Sequence, residues 1–204
     1  MGVAHGAHVA GDLTESPPPE RWLTSPAHPK VPRFAEVVKC GTRHGNIVEY
    51  DVALAELTAG AVAAIGVSAL DRMEGRIAAT STRMEAFLPA AEIRPPLSVE
   101  CHCAESKTRS GHVRSLPGTV LVRVSGREVW VRNACLMDVT VRAGDSGGLV
   151  YAGSSAVGIV FARSPRGAGW FHPLEPAVAF LEAVEPRFAL RCFSWNEHRA
   201  RRNA

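Results

Sequence analysis

The sequence predicts a mostly β protein, and three observations carry that prediction. Val120, Val122 and Val124 alternate with Leu121 and Arg123, then Ser125-Gly126 turns the chain into Glu128–Arg132, a hairpin pattern at period two. Further strand-like apolar runs follow at Leu136–Arg142, Leu149–Tyr151 and Ala156–Ala162. Clear helical spacing comes late, over Leu174–Val184, where Leu174, Val178 and Leu181 are separated by Ala and Glu and Pro186 stops the run.

Taken in order, residues 1–11 are short and rich in small side chains. Residues 12–34 contain Pro17, Pro18, Pro19, Pro26, Pro29 and Pro32. Proline has no amide donor, so this segment is expected to be a surface loop. Ala35–Cys40 and Asn46–Leu57 read as strands around a glycine-containing turn, with Asp51 in or at the end of the second, and 61–66 closes this half. Residues 68–97 are expected to be a linker: Thr80-Ser81-Thr82 interrupts the helix formers of Leu70–Leu88, and Pro95-Pro96 bars a helix. Strands resume from 97, Ser164-Pro165-Arg166-Gly167 is a turn, and Trp170-Phe171-His172 is the last strand. Arg187–Ala204 reads as a solvated tail. The expected divisions are 1–85, 86–172 and 173–204.

Composition limits the function. Hydrophobic residues make up 46% of 204 and charged residues 21%, enough apolar material for a substantial buried core. No apolar run is long enough to span a bilayer as a helix, so no membrane role is expected. Net charge is +3 and the basic residues are scattered apart from Arg199, Arg201 and Arg202, so no nucleic-acid partner is expected. No secretory leader is legible at Met1–His5, and a leader upstream would change that expectation. Five cysteines cannot all pair internally. Cys101-His102-Cys103 lacks both the usual C-x₂₋₄-C separation and a matching second pair, so free or structural thiols are expected, with no metal and no cofactor.

The chemistry centres on Gly144-Asp145-Ser146-Gly147-Gly148. Glycines allow φ > 0 and close approach to bare amides. A serine hydroxyl needs a base before it can attack, so candidate bases and acids upstream decide the reading. Asp51 lies in Tyr50-Asp51-Val52-Ala53-Leu54, and His8 in Gly6-Ala7-His8-Val9-Ala10. Asp51 follows His8 by 43 residues (51 − 8), and Ser146 follows Asp51 by 95 (146 − 51). The His, Asp, Ser template has about 45 and about 93. His5 also follows an alanine, at 46 residues before Asp51 (51 − 5), and is the competing base.

These three segments resemble the motifs of trypsin-like (chymotrypsin-fold) serine peptidases of bacterial type. The resemblance runs from His8 to the C-terminal helix. It implies a double β-barrel with a C-terminal helix, an endopeptidase acting on polypeptides, and a triad of His8, Asp51 and Ser146 with an oxyanion hole from the amides of Gly144 and Ser146. In that family about half of the first barrel precedes the histidine, whereas Met1 stands seven residues before His8, so the first barrel is expected to be incomplete. The same comparison puts Thr140 at the base of the specificity pocket and Phe161, Ala162, Arg163 and Gly169 along its wall. Without a buried carboxylate at the base, a small or medium uncharged side chain is expected before the cut, with an acidic one held by Arg163 as second choice. Asp138, two residues before Thr140, is expected to lie beyond the pocket floor.

Two other readings remain open at this point. Gly144–Gly148 also satisfies G-x-S-x-G of the α/β-hydrolases, but no helix signal follows the serine and no aspartate occurs after Asp145. The chain could instead be an inactive peptidase homologue or fragment that binds peptides. Oligomeric state has no sequence signal.

Overall fold

The structure is a computed structural model, and it describes residues 2–5, 22–23, 30–31, 33, 35–40, 43–61, 63, 86–124 and 127–184. Among these the chain is mostly β. Its first sheet joins β1 (Gly2–His5), β6 (Ala53–Leu57), β3 (Ala35–Cys40) and β2 (Trp22–Leu23) in that spatial order, with every pair antiparallel. Alanines and valines point inward at Ala35, Val37, Ala53 and Ala55, so the two central strands pack closely.

The second sheet begins with two short strands from the first half of the chain, β4 (Arg43–His44) and β5 (Ile47–Val48). β5 runs parallel to β11 (Arg127–Thr140), with Ile47 opposite Trp130 and Val48 opposite Val131. From β11 the sheet continues through β14 (Ala168–Pro173), β13 (Ser155–Arg163), β12 (Leu149–Ala152), β8 (Ser98–Cys103) and β9 (Lys107–His112). β10 (Gly118–Val124) pairs with β11 as the expected hairpin, and β7 (Ala86–Phe87) pairs with β13. The one long helix among the described residues, α1 (Leu174–Val184), has the bounds its spacing predicts. It buries Leu174, Ala177, Val178 and Leu181 against two separate clusters.

One hydrophobic cluster mixes Ala35, Val37, Val48, Ala53, Ala55 and Ala61 with Val129, Val131, Ala134 and Phe161, so the first and second halves share a core. A second cluster fills the later sheet around Val113, Met137, Val150, Val157 and Phe171.

Several sequence expectations need correction. Asn46–Leu57 is not one strand: the chain pairs at 47–48, bends, and pairs again only from Ala53, because Tyr50 and Val52 turn toward α1. Glu128–Arg132 and Leu136–Arg142 are parts of a single strand ending at Thr140, with Asn133 in the left-handed region (φ 52°) between them. Trp22–Leu23 pairs with β3 inside the segment read as loop. The β8–β9 hairpin was not resolved from the sequence, since β9 is Lys-Thr-Arg-Ser-Gly-His and almost wholly exposed. All of 64–85 and all of 185–204 lie outside the described residues, including most of the linker and the tail.

Candidate active site

The Gly144–Gly148 segment is the turn that delivers the chain into β12. Gly144 and Gly147 have φ of 92° and 89°, a region where a Cβ would collide with the neighbouring backbone. Gly148 is needed for another reason. A Cβ there would come within 2.5 Å of Cys103 Sγ and 2.9 Å of the Asp145 carbonyl oxygen. The turn is held by Gly148 N–H donating to Asp145 O (2.9 Å), Gly147 N–H to Val160 O (2.8 Å) and Val160 N–H to Gly148 O (2.9 Å). Ser146, half-buried, donates its hydroxyl to the carbonyl oxygen of Phe161 on β13 (3.2 Å).

Asp145 anchors this turn from below. Its buried carboxylate accepts from the amides of Glu105 and Ser106 (both 2.9 Å), the amide of Arg142 (2.7 Å) and the hydroxyl of Ser106 (2.5 Å). Burial pushes its pKa up, but the Ser106 hydroxyl and the three amides outweigh burial and hold it below the usual carboxylate value. Sequence reasoning missed Ser106, which carries no motif of its own. Ser106→Ala should lower stability by about 2 kcal/mol, since a hydrogen bond to a buried charge is lost. Thermal melts of the two proteins at pH 7 check this.

Asp51 lies in the bend between β5 and β6, and it is buried. Residues of the later strands grip this bend. Arg132 Nη1 pairs with Glu49 Oε1 (2.6 Å), and the Asn133 side-chain amide donates to the Glu49 carbonyl oxygen (3.3 Å). The amide of Asp51 donates to Nε2 of His172 on β14 (2.9 Å). Tyr50 and Val52 pack on Ala177 and Leu181 of α1.

His172 lies on β14, the last strand. It is wholly buried. Nε2 accepts the Asp51 amide, so Nδ1 carries the proton and donates it to the carbonyl oxygen of Asn133 (3.2 Å). Burial drives the His172 pKa down to about 4, against smaller opposing effects of Asp51 and the Asn133 carbonyl. An unfolded chain takes up this proton near pH 6.5, the folded protein only near 4. The stabilisation is therefore complete above about pH 6.5 and is lost as pH falls toward 4, by roughly 3 kcal/mol in total. Urea midpoints measured from pH 7 to pH 4 should fall, and should fall less for His172→Gln.

His8 lies outside the described residues. His5, the competing base, ends β1 opposite Ala53, at the end of β6 that Asp51 precedes. Of the expected pocket residues, Thr140 is exposed at the end of β11, opposite Ala168. Arg163 is exposed and pairs with Gly169, beside half-buried Ala162. Gly169 has no room for a side chain, since a Cβ would meet Met137 Cε at 2.6 Å. The Phe161 ring is buried and stacked on the His172 imidazole (centroids 4.2 Å apart), and its carbonyl meets Ser146. Asp138 is engaged elsewhere, accepting from the His112 amide (2.5 Å) and from Arg114 Nε (2.8 Å), and the His112 bond leads in holding its pKa low.

Cys101, Cys103 and Cys135 are free thiols. Strand alternation turns Cys101 and Cys103 into the core, with their sulfurs 3.0 Å apart, and turns His102 outward to Thr108. The Cys-His-Cys run thus does not converge on one point.

No protein-family model matches the chain, and no curated protein matches it. Among solved structures it is similar to protease A of Thermobifida fusca, with 17% identity over 88% of this chain and 81% of that one, at a TM-score of 0.55. It is also similar to the chymotrypsin of Cellulomonas bogoriensis, with 16% identity over 94% and 85% of the two chains and a TM-score of 0.56. The fold is therefore chymotrypsin-like, mostly β with a C-terminal helix.

Proposed function

We propose that this chain is a serine endopeptidase that cuts polypeptides through an acyl-enzyme. Ser146 Oγ attacks the scissile carbonyl carbon while His8 takes its proton. The carbon–nitrogen bond then breaks, and His8 returns that proton to the leaving amine. Water, deprotonated by the same histidine, releases the acid and restores Ser146. Asp51 orients the histidine and stabilises its cation. The amides of Gly144 and Ser146 receive the oxyanion, and one such donor is worth about 3–4 kcal/mol of barrier.

The observation that carries this reading is the clamp around Asp51. A buried aspartate from the first half of the chain is fastened by His172, and the ring stacked on His172 belongs to the residue whose carbonyl holds Ser146. Support also comes from β1, which runs into the Asp51 end of β6 and so carries the chain toward the acid just before His8. The chymotrypsin-like fold accommodates this chemistry but does not by itself prescribe it.

Covalent labelling by a fluorophosphonate tests the proposal. Labelling that Ser146→Ala removes supports it. Absence of labelling in the unaltered protein would leave the peptide-binding homologue as the reading. For specificity, the threonine expected at the pocket base, Thr140, supplies no carboxylate, and Asp138 is committed to Arg114, so a cationic side chain is disfavoured. Cleavage of a peptide library varied at the residue before the cut should favour small or medium uncharged side chains, with acidic ones next. A dominant preference for Arg or Lys would overturn this specificity.

A further inference from the structure

The geometry points to His172 as a positioning residue that holds the Asp51 segment in register with the Ser146 loop. This inference rests on the peptidase reading above and adds a residue to its machinery. The imidazole stands at the junction of four elements. On one edge it accepts the amide of Asp51 from the β5–β6 bend, and on the other it donates to Asn133 of β11. One face lies on the ring of Phe161 from β13, at a 17° interplanar angle, and Tyr50 tilts against it with centroids 5.4 Å apart.

Each contact leads to a proposed working group. The Asp51 amide belongs to the residue that would orient the base. The Phe161 backbone carbonyl accepts the Ser146 hydroxyl. Asn133, held in a left-handed conformation, also reaches back to Glu49 of the bend through its side-chain amide. Bend, β11 and His172 therefore close a ring of hydrogen bonds: Asp51 to His172, His172 to Asn133, and Asn133 to Glu49. Among the described residues, the ionisable groups around the imidazole are Asp51 and Tyr50, with the Glu49–Arg132 ion pair behind Asn133.

A merely space-filling residue in this place would not need both ring nitrogens engaged. A Phe ring fills a similar volume but can neither accept from Asp51 nor donate to Asn133. A glutamine can do both, through one oxygen and one N–H. If the bonds matter, loss of Asp51 alignment should slow the chemical step and spare substrate binding, because small misplacements cost about 100-fold in rate.

The experiment compares His172→Phe and His172→Gln with the unaltered protein. Fluorophosphonate labelling rates are measured together with kcat and KM on an activated ester. His172→Phe should lose about 100-fold in labelling rate and kcat at constant KM, and His172→Gln should recover to within about tenfold. In the unaltered protein, long-range nitrogen–proton NMR correlations should show a neutral ring protonated on Nδ1. A folded His172→Phe that labels at the full rate overturns the inference and leaves the peptidase reading standing. So does an Nε2-protonated ring. If His172→Phe does not fold, the glutamine variant and the NMR tautomer decide: a folded glutamine variant as slow as Ser146→Ala counts against positioning by hydrogen bonds. An unaltered protein that never labels at Ser146 removes both proposals together.

Discussion

Ser146→Ala is expected to lose all fluorophosphonate labelling and to hydrolyse an activated ester about a million-fold more slowly, the scale found when the nucleophile of another Ser-His-Asp hydrolase is removed. The large effect follows from covalent catalysis, since without Oγ no acyl-enzyme can form. The substitution should leave the fold intact. The Ser146 hydroxyl bond to Phe161 is long, at 3.2 Å, and the turn itself is held by backbone bonds and by Asp145. Active-site titration and a thermal melt on the same preparation separate the two effects. Undiminished labelling in Ser146→Ala would move the nucleophile elsewhere.

The second large effect concerns stability. Gly158→Ala is expected to cost about 3 kcal/mol, the upper part of the usual range for overpacking. A Cβ at Gly158 would come within 2.5 Å of the His172 carbonyl oxygen and would press on the ring of Phe171. Neither can yield cheaply. The carbonyl belongs to the β13–β14 ladder, where Gly158 faces Pro173 and Ile159 faces His172, and Phe171 is wholly buried in the second core. A fall in Tm of about 10 °C is the expected reading for a chain of this size. Because the displaced strand carries His172, labelling should slow as well. A variant as stable as the original would show that β13 and β14 can part at this point.

Both expectations start from glycine or serine positions that the sequence displays but does not explain. Gly144–Gly148 stands out in the sequence as a glycine-rich turn, and its glycines are used for φ and for close approach. Gly158 looks like any glycine in an apolar run. It is the Phe171 ring and the His172 carbonyl, brought against it from β14, that leave no room for a side chain.

The sequence by itself determined the β class, the β10–β11 hairpin, the position of the Gly144–Gly148 turn and the span of α1. These are local signals: strand alternation, turn glycines and helical spacing act over a few residues and need no distant partner. Tertiary structure alone decided the break at 49–52, the burial of His172 and the use of Asp145. Tyr50 and Val52 leave the strand because α1, over a hundred residues later, supplies a better apolar surface. His172 alternates with other residues on β14 and shows no motif. Its character comes from an amide on Asp51, a carbonyl on Asn133 and a ring on Phe161, which the fold brings together from three other segments. Buried polar groups must find partners, and the chain meets that requirement across long sequence separations. A reading of short windows therefore sees the Gly144–Gly148 turn, while the residues that hold it become visible only when the strands pair.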